Sequence, residues 1–369
     1  MRRIRPLERE DVPCLCRLYE RVARSGTPDP PPQLAGYFER TVLDHPWYDP
    51  EIPSLVYEGA DGEIVGFLGS HVRRLRVDGR PIRMAASGQL VADPTTRQRG
   101  VGALLMRHFL AGPQELAITD GATETVRQMW TGLGGQALVH ASIGWTKVLR
   151  PAAMSAAMMS QSARSVGPTL ARSLRFVAPP IDAVAQLVAR RADIRLTPPD
   201  ATAEPLTVDA LLDQIRAAAR FLRLYPDYDA EFVRWLFQEL SAIDGAPVRH
   251  LVRDRRGRVA GWYIYHLPSA GVASALQVAA PGGDPDLVLD HLFWDAACRG
   301  AAAVQGRLEP ALFGPLGGRR SMLRRSSGAL AHTDDQHLLG LLGSPNALLT
   351  RLDGEWWMGH HLLWRRHGR

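Results

Sequence analysis

Arg97-Gln98-Arg99-Gly100-Val101-Gly102 lies between an apolar strand-like run and an amphipathic helical one, and that setting decides how the chain is read. Before it, Ile82-Arg83-Met84-Ala85-Ala86-Ser87-Gly88-Gln89-Leu90-Val91-Ala92 reads as a strand that ends at Asp93-Pro94. After it, Val101, Leu104, Leu105, His108 and Phe109 follow the i, i+3, i+4, i+7, i+8 spacing of a helix with one buried face. A helix start leaves backbone N–H groups unpaired, and the helix dipole adds partial positive charge there. Gly100 and Gly102 put no side chain between that backbone and an anion, and Arg97 and Arg99 supply fixed charge beside them. The stretch therefore predicts a phosphate cradle.

The pattern alone is weak, because Gln/Arg, two free positions, Gly, one free position and a small residue arises by chance about once in so Arg- and Gly-rich a chain. Gln33 to Gly36, Arg325 to Gly328 and Arg351 to Gly354 begin the same pattern and fail at its last position. Only the candidate at residues 97–102 has a strand before it and a helix after it.

The chain has 369 residues, more than one typical core, so two domains are expected. Apolar content of 46% with 22% charged residues is ordinary globular composition. No apolar run reaches the length of a membrane span, and Met1-Arg2-Arg3-Ile4-Arg5-Pro6 lacks a signal-peptide core, so a cytoplasmic location is expected. The three cysteines, Cys14, Cys16 and Cys298, form neither a disulfide framework nor a zinc pattern. A net charge of +6 suggests nucleic acid, yet the arginines are scattered and no such partner is expected. Lys147 is the sole lysine, hence the only candidate for a lysine base or Schiff-base former.

Along the chain, Ile4-Arg5-Pro6 reads as a strand and Asp11 as the cap of a helix bearing Leu15, Leu18, Tyr19 and Val22. A second helix follows around Leu34 to Leu43. A hairpin at Gly59-Ala60-Asp61-Gly62 joins strands at Leu55 and Ile64, and the second strand runs to Val77 before turning at Asp78-Gly79. Beyond the cradle helix come a strand at Leu116-Ala117-Ile118-Thr119, a helix from about Ala122 to Leu133, and strands across Gln136 to Leu149.

This mixed α/β order resembles that of the GCN5-related N-acetyltransferase (GNAT) family. The resemblance rests on the Ile-Arg-Pro start with its Asp-headed helix and on Asp93 to Gly102, which matches the family's Pro-x-x-Arg-x-x-Gly-x-Gly acyl-CoA loop. It extends to Met129-Trp130-Thr131-Gly132-Leu133-Gly134, where the family has Leu-Tyr-x-x-x-Gly. A second, weaker copy is echoed downstream. Leu251-Val252 and Gly257 to Gly261 repeat the first hairpin, and Ala329-Leu330-Ala331-His332 repeats Ala137-Leu138-Val139-His140. The expected fold is thus a mixed-sheet α/β protein of two GNAT-like domains in tandem. Its expected divisions are residues 1–150 as the acyl-CoA-binding domain, 151–200 as a helical linker, and 201–369 as a degenerate domain on the acceptor side. In that second copy the cradle position reads Pro281-Gly282-Gly283-Asp284-Pro285-Asp286, whose carboxylates repel an anion. Between the copies, Pro151 to Arg175 carries arginines without an acidic residue and reads as a connecting helix, or alternatively as a membrane-surface helix.

The resemblance implies acyl transfer from acetyl-CoA, or another acyl-CoA, to a small-molecule or polymer-linked amine by direct attack in a ternary complex. It implies a diphosphate held at Arg97, Gln98, Arg99, Gly100, Val101, Gly102 and Ala103, with Val91 and Ala92 offering backbone groups to the acyl-bearing arm. The acid–base residues depart from the family. Trp130 stands at the usual tyrosine acid, Gln89 at the usual glutamate base, and Thr123 where asparagine is common. Asp120 and Trp130 are the leading catalytic candidates, and Asp93, His140, His332, Asp334, Glu355 and the chain-terminal carboxylate are further ones. The alternative is a non-catalytic acyl-CoA-binding or scaffold protein that has lost its proton relay.

Overall fold

The computed structural model describes residues 3–24, 29–60, 62–93, 100–151, 153–154, 197–243, 245–268, 271–326 and 328–363. In chain order the elements are β1 (Arg3–Pro6), α1 (Val12–Tyr19), α2 (Pro32–Phe38), β2 (Leu55–Glu58), β3 (Ile64–Val77) and β4 (Arg80–Ala92). Then come α3 (Val101–Leu110), β5 (Leu116–Ala122), α4 (Glu124–Gly132), β6 (Gln136–Ala137), β7 (Ile143–Val148), β8 (Ala201–Pro205) and α5 (Val208–Ala218). They continue with β9 (Leu224–Pro226), α6 (Ala230–Ser241), β10 (Ala246–Asp254), β11 (Val259–Leu267), β12 (Val272–Ala279), α7 (Pro285–Cys298) and β13 (Ala303–Arg307). The last are α8 (Phe313–Gly317), β14 (Met322–Arg325), β15 (Gly328–His332) and α9 (Gln336–Leu342).

Two compact units result, and each is assembled from separated stretches of chain. Unit 1 comprises Met1–Ser142, Leu211–Ile243 and Ser326–Arg369; unit 2 comprises Ile143–Ala210 and Asp244–Arg325. The sheet of unit 1 has the order β1-β2-β3-β4-β5-β15-β6, with β9 also paired to β3. The sheet of unit 2 has the order β14-β7-β13-β12-β11-β10-β8. In each, one parallel pair is bridged by a helix: β4 and β5 by α3, β12 and β13 by α7. The orders correspond strand for strand, β1 with β8, β2 with β10, and so on to β5 with β13. Beside β5 lies β15, and beside β13 lies β7, so each sheet takes that strand from the other stretch of chain.

The tandem α/β reading therefore holds, but the contiguous divisions at 150 and 201 do not describe the compact units. The strands expected over Gln136 to Leu149 separate, β6 staying in unit 1 and β7 entering the sheet of unit 2. The segments read as repeats of one another are in fact partners, Leu330 opposite Ala137 and Ala331 opposite Gln136. Packing explains the placement of β7. Trp145 is buried against Phe293, and a Cβ on Gly306 of β13 would stand 2.5 Å from its indole. Pro151 to Arg175 lies almost wholly outside the described residues. Among the described residues no helix is long and apolar enough to cross a membrane.

In unit 1 the sheet is covered on both faces, and β3 reads as a near-continuous buried run for that reason. Phe67 packs with Leu15, Leu34 and Phe38 of α1 and α2, while Leu68 and Val72 pack with Leu105 and Phe109 of α3. Burial of each such side chain is worth about 1.5–3 kcal/mol. Gly66 permits the close approach of α3, since a Cβ there would stand 2.5 Å from Cγ1 of Val101. Asp11 does head α1, but its carboxylate binds Arg5 and the Glu8 amide instead of capping the helix.

A fragment of residues 1–150 leaves the outer edge of β5 unpaired and removes Leu330 and Ala331 from the core. It should show no cooperative urea transition. A two-state transition with a slope matching its length would contradict this topology.

Candidate functional site

The site is built at the end of β4. Pairing of β3 with β4 shifts register between Phe67 and Gly69, and Gln89 sits in the bulge with a φ of 49°. On the other side, β4 and β5 pair only at Met84–Leu116, Ala85–Ala117 and Ala86–Ile118, whereas β4 runs on to Ala92. The two strands part beyond Ala86, and Glu355 bridges the gap. Its carboxylate accepts from Thr119 Oγ1 at 2.6 Å, the Asp120 amide at 2.9 Å and the Gly121 amide at 3.0 Å. Its Cβ and Cγ lie 3.3 Å from where a Cβ of Gly88 on β4 would stand.

The clasp is reciprocal. Oδ1 of Asp120 accepts from the amides of Glu355 at 3.1 Å and Trp356 at 2.9 Å. Gly354 is glycine for a steric reason, because a Cβ there would stand 2.5 Å from the Asp120 carboxyl atoms. Both carboxyl groups are buried, at 2% and 6% exposure. Burial holds the Glu355 carboxyl well above its ordinary pKa, and the Asp120 charge and a hydrogen bond that protonated Glu355 donates to that group push the same way.

Arg73 faces the same turn. It is fully buried; its Nε donates to the Asp353 carbonyl at 3.1 Å and its Nη1 to the Val72 carbonyl at 2.9 Å. Burial lowers its pKa to about 10, against the opposing pull of Asp353, Tyr228, Glu355 and Asp120, so it remains a cation at neutral pH. Asp353 is itself fixed by the Tyr228 hydroxyl and by the amide and hydroxyl of Thr350. On the inner side of β3, His71 Nε2 lies 2.9 Å from the Gln89 side-chain oxygen, and Gln89 Nε2 donates to the Tyr37 hydroxyl at 2.9 Å. Burial, with Arg73 second, lowers His71 to about 4 and keeps it neutral. The point where a Gly88 Cβ would stand is 3.1 Å from His71 Nε2, so the histidine and Glu355 approach each other across a missing side chain.

The start of α3 lies just beyond β4. Gly100 is its N-cap with a φ of 67°, a left-handed conformation that glycine adopts without strain. The first intrahelical bond runs from the Leu104 amide to the Gly100 carbonyl, so the amides of Val101, Gly102 and Ala103 have no intrahelical acceptor. A Cβ on Gly102 would meet nothing nearer than 3.8 Å. The equivalent helix of unit 2 differs, since Asp284 caps α7 by accepting from the Leu287 amide at 3.0 Å. Among the described residues no side chain caps the start of α3, whereas that of α7 is closed by its own carboxylate.

Other expected residues fall as follows. Arg97, Gln98, Arg99 and the chain-terminal carboxylate lie outside the described residues. Val91 is buried with the α1–α2 cluster, and Ala92 packs on the α3 side. Trp130 is fully buried in the α3 cluster as a core residue, which removes it from any exposed proton-donating position. Asp93 pairs with Arg21 at 2.5 Å, and Thr123 caps α4. His140 lies in a short 3-10 turn, His332 ends β15, and Asp334 is exposed before α9. Among the described residues no group of three or more His, Cys, Asp or Glu could hold a metal. The partnership of Asp120 with Glu355 was not legible; the one sequence signal was a glycine between two acids, Asp353-Gly354-Glu355, which a tight carboxyl contact requires.

No protein-family model matches the sequence, and no curated relative matches it. Solved structures do. A GCN5-related N-acetyltransferase from Anabaena variabilis is 12% identical, with a TM-score of 0.58 over 91% of this chain and 73% of its own. Another from Kribbella flavida is 15% identical, with a TM-score of 0.52 over 90% and 72%. A probable N-acyltransferase from Enterococcus faecalis is 10% identical, with a TM-score of 0.56 over 90% and 72%. At these identities the likeness is one of fold: two GNAT-like domains in tandem.

Two outcomes follow from this geometry. Gly354→Ala should cost about 1–3 kcal/mol in urea unfolding, because the new methyl displaces the Asp120 carboxyl; an unchanged midpoint would contradict the clasp. His71 is neutral when folded down to about pH 4, whereas the unfolded chain protonates it near 6.5. The stability tied to that neutral ring is lost as pH falls through this window, by about 3 kcal/mol. The pH-dependent loss between pH 7 and 4 should be smaller by that amount in His71→Asn; equal slopes would contradict the assignment.

Proposed function

We propose that this chain is an acyl-CoA-dependent N-acyltransferase that moves an acyl group, acetyl in the first instance, from coenzyme A to an amine. The observation that carries this reading is the meeting of two features at the end of β4: the open helix start at Gly100 and the parting of β4 from β5 around a buried carboxyl pair.

The residues present fit a nucleotide thioester. With the left-handed Gly100 and the space over Gly102, the first amides of α3, which lack an intrahelical acceptor, would meet a diphosphate. Gly100, Val101, Gly102 and Ala103 would hold it, with Arg97, Gln98 and Arg99 as the charged flank. Val91 and Ala92 would offer backbone groups from the stretch of β4 that no longer pairs with β5. When bound, the coenzyme supplies an activated acyl thioester. The chain's own work is to align an amine with it, which alone can supply much of the rate, and to take up the proton the amine sheds.

Glu355, in concert with Asp120, is the proposed proton acceptor. A carboxyl whose proton affinity is raised by burial and by a second carboxyl is a better base than a free one. It would supply the acid–base group that Gln89 and Trp130 do not. The acceptor is a small-molecule or polymer-linked amine in the cytosol, with no nucleic acid involved. The second reading, binding without transfer, draws on one observation: Gln89 spends its carboxamide on His71 and Tyr37.

Gly102→Glu should abolish coenzyme A binding by calorimetry while the melting temperature is kept, because there is room for a side chain there and a carboxylate then stands where phosphate must. Unchanged affinity would count against the cradle. Glu355→Gln should lower kcat for coenzyme A release by about 10²–10⁴-fold with binding retained. Full activity in that variant would remove Glu355 from the reaction, and no release by the wild type across an amine library would favour the second reading.

A further inference from the structure

Lys147, the single lysine of the chain, takes no part in the site above. It lies in β7 of unit 2 opposite Val304 of β13, and its Nζ donates to the Arg319 carbonyl at 2.7 Å. It lines a cavity of about 360 Å³ with Pro198, Pro199, Leu287 and Phe293. That volume is within the range of small-molecule sites. Among the described residues no carboxylate lies within ion-pair distance of it. Asp290, on the same cavity wall, gives its oxygens to Arg319 at 2.7 and 3.0 Å, and Asp200 is paired with Arg255 at 2.6 Å. Burial first, then the neighbouring charges of Arg320 and Arg319, disfavour the ammonium form and lower the Lys147 pKa against the opposing pull of Asp290. An amine without a counter-ion, held at one point by a carbonyl beside an apolar wall, is arranged as a nucleophile.

We propose that Lys147 is an acyl-acceptor lysine, whose free amine takes the acyl group of a thioester entering this cavity. The Nζ lone pair forms a C–N bond to the thioester carbonyl carbon and the C–S bond breaks. The thiolate leaves, and the proton shed by nitrogen ends on it. The products are an Nε-acyl-lysine and a free thiol, with nothing oxidised or reduced.

This inference does not rest on the acyltransferase reading of unit 1, and the test keeps the two apart. The full chain is incubated at pH 7.5 with N,S-diacetylcysteamine, a thioester that carries no nucleotide, and followed by intact mass and peptide mapping. Acylation is expected at Lys147, absent in Lys147→Arg, and at least about 10-fold faster than that of Nα-acetyl-lysine, because the cavity holds the thioester beside the amine. It should persist in Gly102→Glu and slow in Leu287→Trp, which fills the cavity. A rate equal to that of the free amino acid, an adduct confined to the N-terminal amine, or full reactivity in Leu287→Trp would overturn the proposal. Loss of the adduct in Gly102→Glu would also overturn it, by assigning the chemistry to unit 1.

Discussion

Two parallel strands that start together and then separate leave backbone groups that no neighbouring strand can satisfy, and unit 1 is organised around that constraint. After Ala86 and Ile118 the ladder between β4 and β5 ends, and the amides of Asp120 and Gly121 need other acceptors. An orphaned buried donor costs about 1–3 kcal/mol. Glu355 answers both amides and the Thr119 hydroxyl, and Asp120 answers the amides of Glu355 and Trp356 in return. Once that turn is seated, its Asp353 carbonyl becomes the acceptor for the buried Arg73. A satisfied polar clasp thus stands where strand pairing stops.

The two units share a strand order and differ in interior chemistry. In unit 1, α3 meets the sheet through Leu105 and Phe109. In unit 2, α7 presents His291 and Asp295 to Tyr263 and Tyr265, with hydrogen bonds of 3.0 and 2.6 Å. The helix starts differ in the same spirit, open at Gly100 and closed by Asp284. One topology, used twice, supports an anion-attracting end in one unit and a self-capped end in the other. The fold alone therefore assigns neither unit a role; the side chains at each helix start do.

Much of the fold was legible because its signals are local. The alternation and burial of β3 and β4, the helical spacing from Val101 to Phe109, and the turn at Asp78-Gly79 each depend on neighbours in sequence. Asp284 was likewise readable as hostile to an anion, and its capping bond gives the physical form. What escaped was long-range. Nothing in Ile143–Val148 says which sheet it joins, since an apolar strand suits either; Gly306 making room for Trp145 is a contact between residues far apart in the chain. The Asp120–Glu355 pair was missed for the same reason, although each residue was singled out separately. Trp130 was read by its place in a motif, and its complete burial reflects the core that surrounds that place.

Asp120 and Glu355 form one buried, reciprocal carboxyl clasp where β4 and β5 separate, and the Asp120 charge helps hold the Glu355 carboxyl above its ordinary pKa. Carboxyl ¹³C NMR of the selectively labelled full chain, titrated from pH 3 to 9 with Asp120→Asn for comparison, tests it most directly. The account predicts a Glu355 midpoint well above the ordinary glutamate value of about 4.3, falling back when Asp120 is made neutral. A Glu355 signal that titrates at the ordinary value, indifferent to Asp120, would contradict it.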